Sequence, residues 1–123
     1  MAGLALAAST TLRAQIPEKF TNLQVLPKTT TRAELVPVMR GFALNLGIRC
    51  EHCHVGEGND LSKFDFASDA KPAKSTARQM LKMVTALNAQ MAGIGDPAPA
   101  SAPKITCFTC HRGAVKPLTA PGK

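Results

Sequence analysis

Apolar residues recur at helical spacing in the segment that follows Thr31. They share one predicted helix face: Leu35, Met39, Phe42, Ala43 and Leu46. Thr31 with Glu34 three residues later is a capping-box signature, and Gly47 suits the C-terminal end of the helix. Pro37 removes a backbone donor inside the pattern, so we expect a kink or a later start. The pattern predicts a first helix that ends shortly before a cysteine.

A second amphipathic helix is predicted in the middle of the chain. The residues expected on its inward face are Ala77, Met80, Met83, Val84, Leu87 and Met91. Ser68 or Asp69 can cap this helix, and Pro72 fits its first turn. The connections at 55–68 and 93–104 are rich in Gly, Pro or polar residues, and no segment has a convincing strand pattern. We therefore predict a mainly α fold with long irregular connections.

A five-residue CxxCH motif occurs twice and contains all four cysteines of the 123-residue chain. It reads CEHCH at Cys50–His54 and CFTCH at Cys107–His111. Each copy follows a predicted helix, so the chain consists of two helix–turn–CxxCH units. The chain has five Phe, no Trp and no Tyr. A small chain with so few large side chains indicates that something other than protein fills its centre.

Three other uses of paired cysteines account for the CxxCH motif less well than haem attachment does. Disulfides need no histidine after the second cysteine, and a four-cysteine zinc site leaves both histidines unexplained. Thioredoxin-like redox chemistry expects a βαβ context, which the pattern does not offer. In c-type haem attachment, two thiols bond the haem vinyl groups and the adjacent histidine binds the iron.

We therefore predict a small c-type cytochrome with two covalently attached haem c groups. The expected attachment residues are Cys50, Cys53, Cys107 and Cys110, and the expected iron ligands are His54 and His111. The residues alone leave the sixth ligand of each iron open between a methionine thioether and the imidazole of His52. A methionine on an apolar helix face, such as Met39, is more often a core residue than a ligand.

The formal net charge of +7 is compatible with nucleic acid, an anionic membrane or an acidic protein partner. No Lys/Arg run with interleaved aromatics marks a nucleic-acid face, so that partner is discounted. The pattern favours a solvated helix face for Lys71, Lys74 and Arg78, with haem propionates or an acidic partner as the alternative. No Ser/His/Asp set, phosphate loop or carboxylate pair indicates an enzyme with a small-molecule substrate.

Residues 1–14 form an uncharged, mostly apolar run through Leu12, followed by a weak cleavage site after Ala14. The run is far shorter than the ~20 apolar residues of a membrane span. We predict a truncated export signal over 1–14, with a small apolar helix as the alternative, and a single dihaem domain over 15–123. Because c-type haem is attached outside the cytoplasm, we expect a periplasmic or other extracytoplasmic location, and association with a membrane is open.

Three segments resemble the second, two-haem half of the tetrahaem cytochrome subunit of bacterial photosynthetic reaction centres. They are NLQVLPKTTTRAELVPVMRGFALNLGIRCEHCHV, FASDAKPAKSTARQMLKMVTALNA and CFTCHRGAVKPL. The resemblance implies that Met39 is the distal ligand of the first haem. In that family the last haem takes its distal histidine from the other half, so analogy between the two units suggests Met83 here. Met80, His52 or an open iron are the alternatives.

The sequence therefore predicts an exported dihaem electron carrier rather than an enzyme. It would pass single electrons between a periplasmic redox protein donor and an acceptor, for which a membrane reaction-centre complex is one candidate. The alternative is a haem enzyme or sensor whose second iron is open to peroxide or a small gas. A carrier needs six-coordinate iron, whereas an enzyme or sensor needs an open position.

Overall fold

The computed structural model describes residues 16–95 and 105–121. The predicted export signal over 1–14 lies outside these described residues. Three α-helices are present: α1 at Arg32–Leu46, α2 at Pro72–Met91 and α3 at Cys107–His111. Single turns of 3-10 helix cover Cys50–His52 and Leu61–Lys63. In the described ranges, β pairing is limited to one isolated bridge between Val55 and Asp65, so the mainly α prediction is confirmed.

The first helix begins and ends at the predicted residues. The Glu34 carboxylate accepts a hydrogen bond from the Thr31 backbone N–H at 2.7 Å, and the Thr31 hydroxyl accepts one in return from the Glu34 N–H. Gly47 ends α1 in the left-handed conformation with φ of 64°. The later start expected from Pro37 is wrong. The carbonyl that Pro37 leaves unbonded belongs to Ala33, an exposed residue whose carbonyl can bind water.

The second helix begins at Pro72 as predicted, but neither predicted residue caps it. Its N-cap is Lys71, which makes no side-chain capping bond. The Asp69 carboxylate is instead bonded to Asn22 and Arg78, and the Ser68 hydroxyl accepts from the backbone N–H of Ala70. Asp69 is therefore held by Asn22 and Arg78, and Ser68 bonds within its own loop, so neither caps the helix.

Side chains do not fill the centre of the protein. Leu35 and Phe64 are the only hydrophobic residues in the described ranges that are deeply buried, at 7% and 8% exposure. Phe64 stacks on Phe66 with ring centroids 5.5 Å apart. Gly56 permits this arrangement, because a Cβ at its position would overlap the Phe64 ring. The helices thus surround a space rather than a packed core, as the shortage of aromatic residues predicts.

The C-terminal end of α1 lies directly against the turn that follows the second CxxCH motif. The Gly113 N–H donates to the Asn45 carbonyl at 2.9 Å. A Cβ on Gly47 would overlap the Gly113 carbonyl oxygen, so the two backbones meet at a point where only glycine fits. Helix α1 therefore contacts both units of the repeat. None of the helices within the described ranges has the length and apolarity to cross a membrane.

Candidate haem-binding sites

The first CxxCH motif is folded as a tight turn. The backbone N–H groups of Cys53 and His54 both donate to the Cys50 carbonyl, at 3.2 and 2.9 Å. This turn leaves Cys50 exposed and Cys53 and His54 half-buried. Both cysteines are free thiols, and burial raises the pKa of Cys53. Cys50, Cys53 and His54 all line one cavity.

That cavity has a volume of about 480 Å³, which is within the usual size range of ligand and cofactor sites. It brings Met39 of α1 together with Cys50, Cys53 and His54 of the first motif. The remaining wall comes from the lead-in segment 16–26, from α1 and the two residues 48–49 before the motif, from the loop 61–67 and from α2, and most of it is apolar. The residues that the sequence assigns to the first haem thus share one apolar pocket, which fits a flat hydrophobic cofactor.

The environment of His54 is suited to a metal ligand. Burial is the main cause that lowers the pKa of His54, and the Lys74 charge lowers it further, so the neutral imidazole that binds metals is favoured. The His54 Nδ1 is buried and has no hydrogen-bond partner; the Phe66 backbone lies near enough to favour protonation weakly but is outside hydrogen-bonding geometry. The Phe66 ring packs edge-on against the imidazole at 5.1 Å.

Two cations of α2 lie against the same cavity. The Lys74 and Arg78 side chains are only 11% and 16% exposed, and both line the pocket. They pair with Asp69 at 3.1 and 2.9 Å, and these contacts, with Arg78 the largest contributor, hold the pKa of Asp69 well below its usual range. The solvated helix face predicted for Lys74 and Arg78 is therefore wrong, because both side chains are bonded to Asp69 and to backbone carbonyls of the segments beside the cavity.

Lys74 also organises the loop before α2. Its ammonium donates to the carbonyls of Phe66, Ala67 and Ser68 at 2.9, 3.1 and 2.7 Å. Lys71 is half-buried as well and donates to the Glu51 carbonyl inside the first motif. These bonds attach the N-terminal end of α2 to the first site.

The second CxxCH motif forms α3. Thr106 caps this short helix and exchanges hydrogen bonds with Thr109. The His111 Nδ1 is 3.0 Å from the Ala114 carbonyl, which leaves the other ring nitrogen free to bind a metal. Cys107 is half-buried, which raises its pKa, whereas Cys110 is exposed. The second motif thus has an oriented imidazole beside two free thiols.

The candidate distal ligands of the second site lie on the surface of α2. Met83 is 46% exposed and Met80 is 40% exposed, and neither lines the first cavity. The inward position predicted for Met80 and Met83 is therefore wrong, whereas Ala77 of the same predicted face lines the first cavity, together with Leu81. His52 is exposed as well.

A zinc site built from both cysteine pairs receives no support. In the part of the chain that the structure describes, no three or more His, Cys, Asp or Glu side chains are grouped in a way that could hold a metal ion. All four cysteines are free, so the disulfide alternative is not formed either.

The sequence interpretation missed Asn88 of α2 and Asn22 of the lead-in. The Asn88 side chain bonds both backbone groups of Ile105, and the Asn22 side chain bonds Asp69. A partial signal was present for Asn88, because asparagine is unfavourable inside a helix unless its amide has a role there. No local signal marks Asn22.

The model of the family described as photosynthetic reaction centre cytochrome C subunit matches residues 5–120. The chain belongs to this family. Membership makes it a cytochrome of the c type, a class that carries covalently bound haem. The resemblance predicted from the three segments is thereby confirmed.

This cytochrome is also similar to a full-length relative. It is 33% identical over 107 residues to the photosynthetic reaction center cytochrome c subunit of Rubrivivax gelatinosus. The match covers 76% of this chain but only 28% of the relative, so the chain corresponds to a minor part of that protein. No solved structure matches the chain.

Proposed function

We propose that this cytochrome is an electron carrier with two haem c groups that passes single electrons between redox proteins. The observation that carries the proposal is the cavity in which Met39 lies together with Cys50, Cys53 and His54. His54 and Met39 would supply a histidine and a methionine to one iron, the ligand set of electron-transferring cytochromes c. An iron without an open position exchanges electrons but does not bind substrate.

In the first site, Cys50 and Cys53 would hold the haem covalently, and His54 and Met39 would ligate its iron. When bound, the haem supplies a reversible one-electron couple. The chain excludes water with the apolar walls of the pocket, and the thioether of Met39 favours the reduced state. Lys74 and Arg78 place positive charge at the wall of the cavity, which acts in the same direction.

In the second site, Cys107 and Cys110 would hold the haem, and His111 and Met83 would ligate its iron. The bond from His111 to the Ala114 carbonyl supports a ligating imidazole. Phe108, Val115 and Leu118 are exposed in and directly after the motif, and a large apolar group bound there would cover such a surface.

The proposed location is the periplasmic side of a membrane, with one redox protein as donor and another as acceptor. The relative from Rubrivivax gelatinosus is named as a subunit of a photosynthetic reaction center, which makes such a complex a candidate acceptor. Removal of the predicted signal with Arg13 would lower the formal charge of the polypeptide from +7 to +6, and this basic balance favours acidic partner surfaces. No step of this function requires a small-molecule substrate.

We expect two haem additions per chain when the protein is produced in a host that matures c-type cytochromes. Mass spectrometry after acid–acetone extraction measures them, because thioether-bound haem survives this treatment. The double variant Cys107→Ala/Cys110→Ala should retain one addition and serves as the matched control. A wild-type protein with a single addition would contradict the dihaem proposal.

The alternative function is a haem enzyme or gas sensor with an open second iron. The exposure of Met80 and Met83 favours it, because protein packing does not hold either thioether in place. A carrier predicts that the reduced wild-type protein binds no carbon monoxide, and that Met83→Ala creates one binding site per chain. Optical titration with carbon monoxide measures this.

Met80→Ala is the control in the same titration. A binding site created by Met80→Ala alone would transfer the ligand role to Met80 and leave the carrier function intact. Stoichiometric binding at one haem of the wild type would instead establish the enzyme or sensor alternative.

A further inference from the structure

The side chain of Asn88 joins α2 to the segment that enters the second motif. Its Nδ2 donates to the Ile105 carbonyl at 2.7 Å, and its Oδ1 accepts from the Ile105 N–H at 2.9 Å. The Nδ2 also donates to the Val84 carbonyl of its own helix at 3.1 Å. Both amide hydrogens and the oxygen are therefore used, and only one orientation of the amide satisfies all three bonds.

Ile105 lies just before the second CxxCH motif. It precedes Thr106, the N-cap of α3, and lies two residues before Cys107. The other side of the motif is fixed by the bond from the Gly113 N–H to the Asn45 carbonyl. The second motif is thus held before Cys107 by α2 and after His111 by α1.

A haem attached to Cys107 and Cys110 would move with α3. Met80 and Met83 belong to α2, the helix that carries Asn88. The paired bonds between Asn88 and Ile105 therefore link the entry to α3 with the helix that carries these thioethers. A lateral shift of α3 would change the distance from the haem to these thioethers and also the exposure of the haem to water.

We infer that Asn88 is a positioning residue for the second haem, acting through the backbone of Ile105. Asn88 would act without contacting the haem: its bonds to Ile105 fix the segment that enters α3 to α2, the helix that carries Met80 and Met83. The inference rests on the proposed second haem. It predicts that loss of the Asn88 amide changes the second haem and leaves the first haem unchanged.

The test uses the holoprotein with Asn88→Leu, which keeps much of the side-chain volume and removes all three bonds. Spectroelectrochemical titration resolves the two haems, and a Met39→Leu background identifies the first one. We expect at least about a tenfold change in the reduction equilibrium of the second haem, which is about 59 mV for a one-electron couple. A matching change is expected in its low-spin electron paramagnetic resonance signal.

Asn88→Asp is the partial variant. Its carboxylate can still accept from the Ile105 N–H but cannot donate to the Ile105 carbonyl, so we expect a smaller shift of the same haem. If Asn88→Leu does not fold well enough to be purified, Asn88→Asp is used for the same measurements. Gln90→Leu, at an exposed position of α2, is the matched control and should behave like the wild type.

Two results would overturn the inference. One is that Asn88→Leu leaves the reduction potential and the electron paramagnetic resonance signal of the second haem unchanged, even if the protein is less stable. The other is an equal shift of both haems, since that would mean a general loosening of the fold. A wild-type protein with only one haem would instead refute the proposed function, so the two failures are distinguishable.

Discussion

Replacing Gly47 with alanine is expected to destabilise the holoprotein by about 2 to 4 kcal/mol. Gly47 has φ of 64°, a conformation that costs a residue with a Cβ roughly 1 to 2 kcal/mol. The new Cβ would also overlap the Gly113 carbonyl oxygen. A backbone carbonyl cannot rotate away as a flexible side chain can, so α1 and the turn after His111 would have to separate. The midpoint of denaturant-induced unfolding measures the loss.

Gly41→Ala provides a control of opposite sign. Gly41 lies inside α1, and a Cβ at its position meets no atom within 4 Å. Alanine is favoured over glycine in a helix by about 0.8 to 1 kcal/mol, so this variant should be slightly more stable than the wild type. If Gly47→Ala were as stable as the wild type, the close approach of α1 to Gly113 would be refuted.

The second large effect is expected from Met39→Leu. Leucine is close to methionine in volume, so the free energy of unfolding should change by less than about 1.5 kcal/mol from packing. Loss of the thioether ligand should lower the reduction potential of the first haem by on the order of 0.1 V, within the roughly 0.8 V range that axial ligands and surroundings control. The methionine–iron absorption band should disappear. Potentiometric titration with optical detection measures both changes.

Val36→Ala is the control for Met39→Leu. Val36 lines the same cavity from the same helix, but it has no atom that could bind iron. This variant should lose packing and stability while keeping the methionine–iron band. An unchanged spectrum in Met39→Leu would make Met39 a wall residue of the cavity and would contradict its role as a ligand.

Features set by neighbouring residues could be predicted from the sequence. The start of α1 depends on Thr31 and Glu34, which are three residues apart and bond each other. The end of α1 depends on Gly47, since glycine adopts the left-handed conformation without steric cost. The N-cap of α2 could not be predicted, because Asn22 bonds Asp69 from 47 positions away and removes its carboxylate from the helix.

The sequence by itself determined the helices that precede the motifs, the pairs of thiols with their following histidines, and the shortage of large side chains. Each depends on composition or on contacts within one helical turn. Only the tertiary structure decided that Lys74 and Arg78 lie at the wall of the cavity, that Asn88 binds Ile105, and that Gly47 meets Gly113. These features join distant parts of the chain, and helical periodicity cannot reveal which side of a helix another segment will cover.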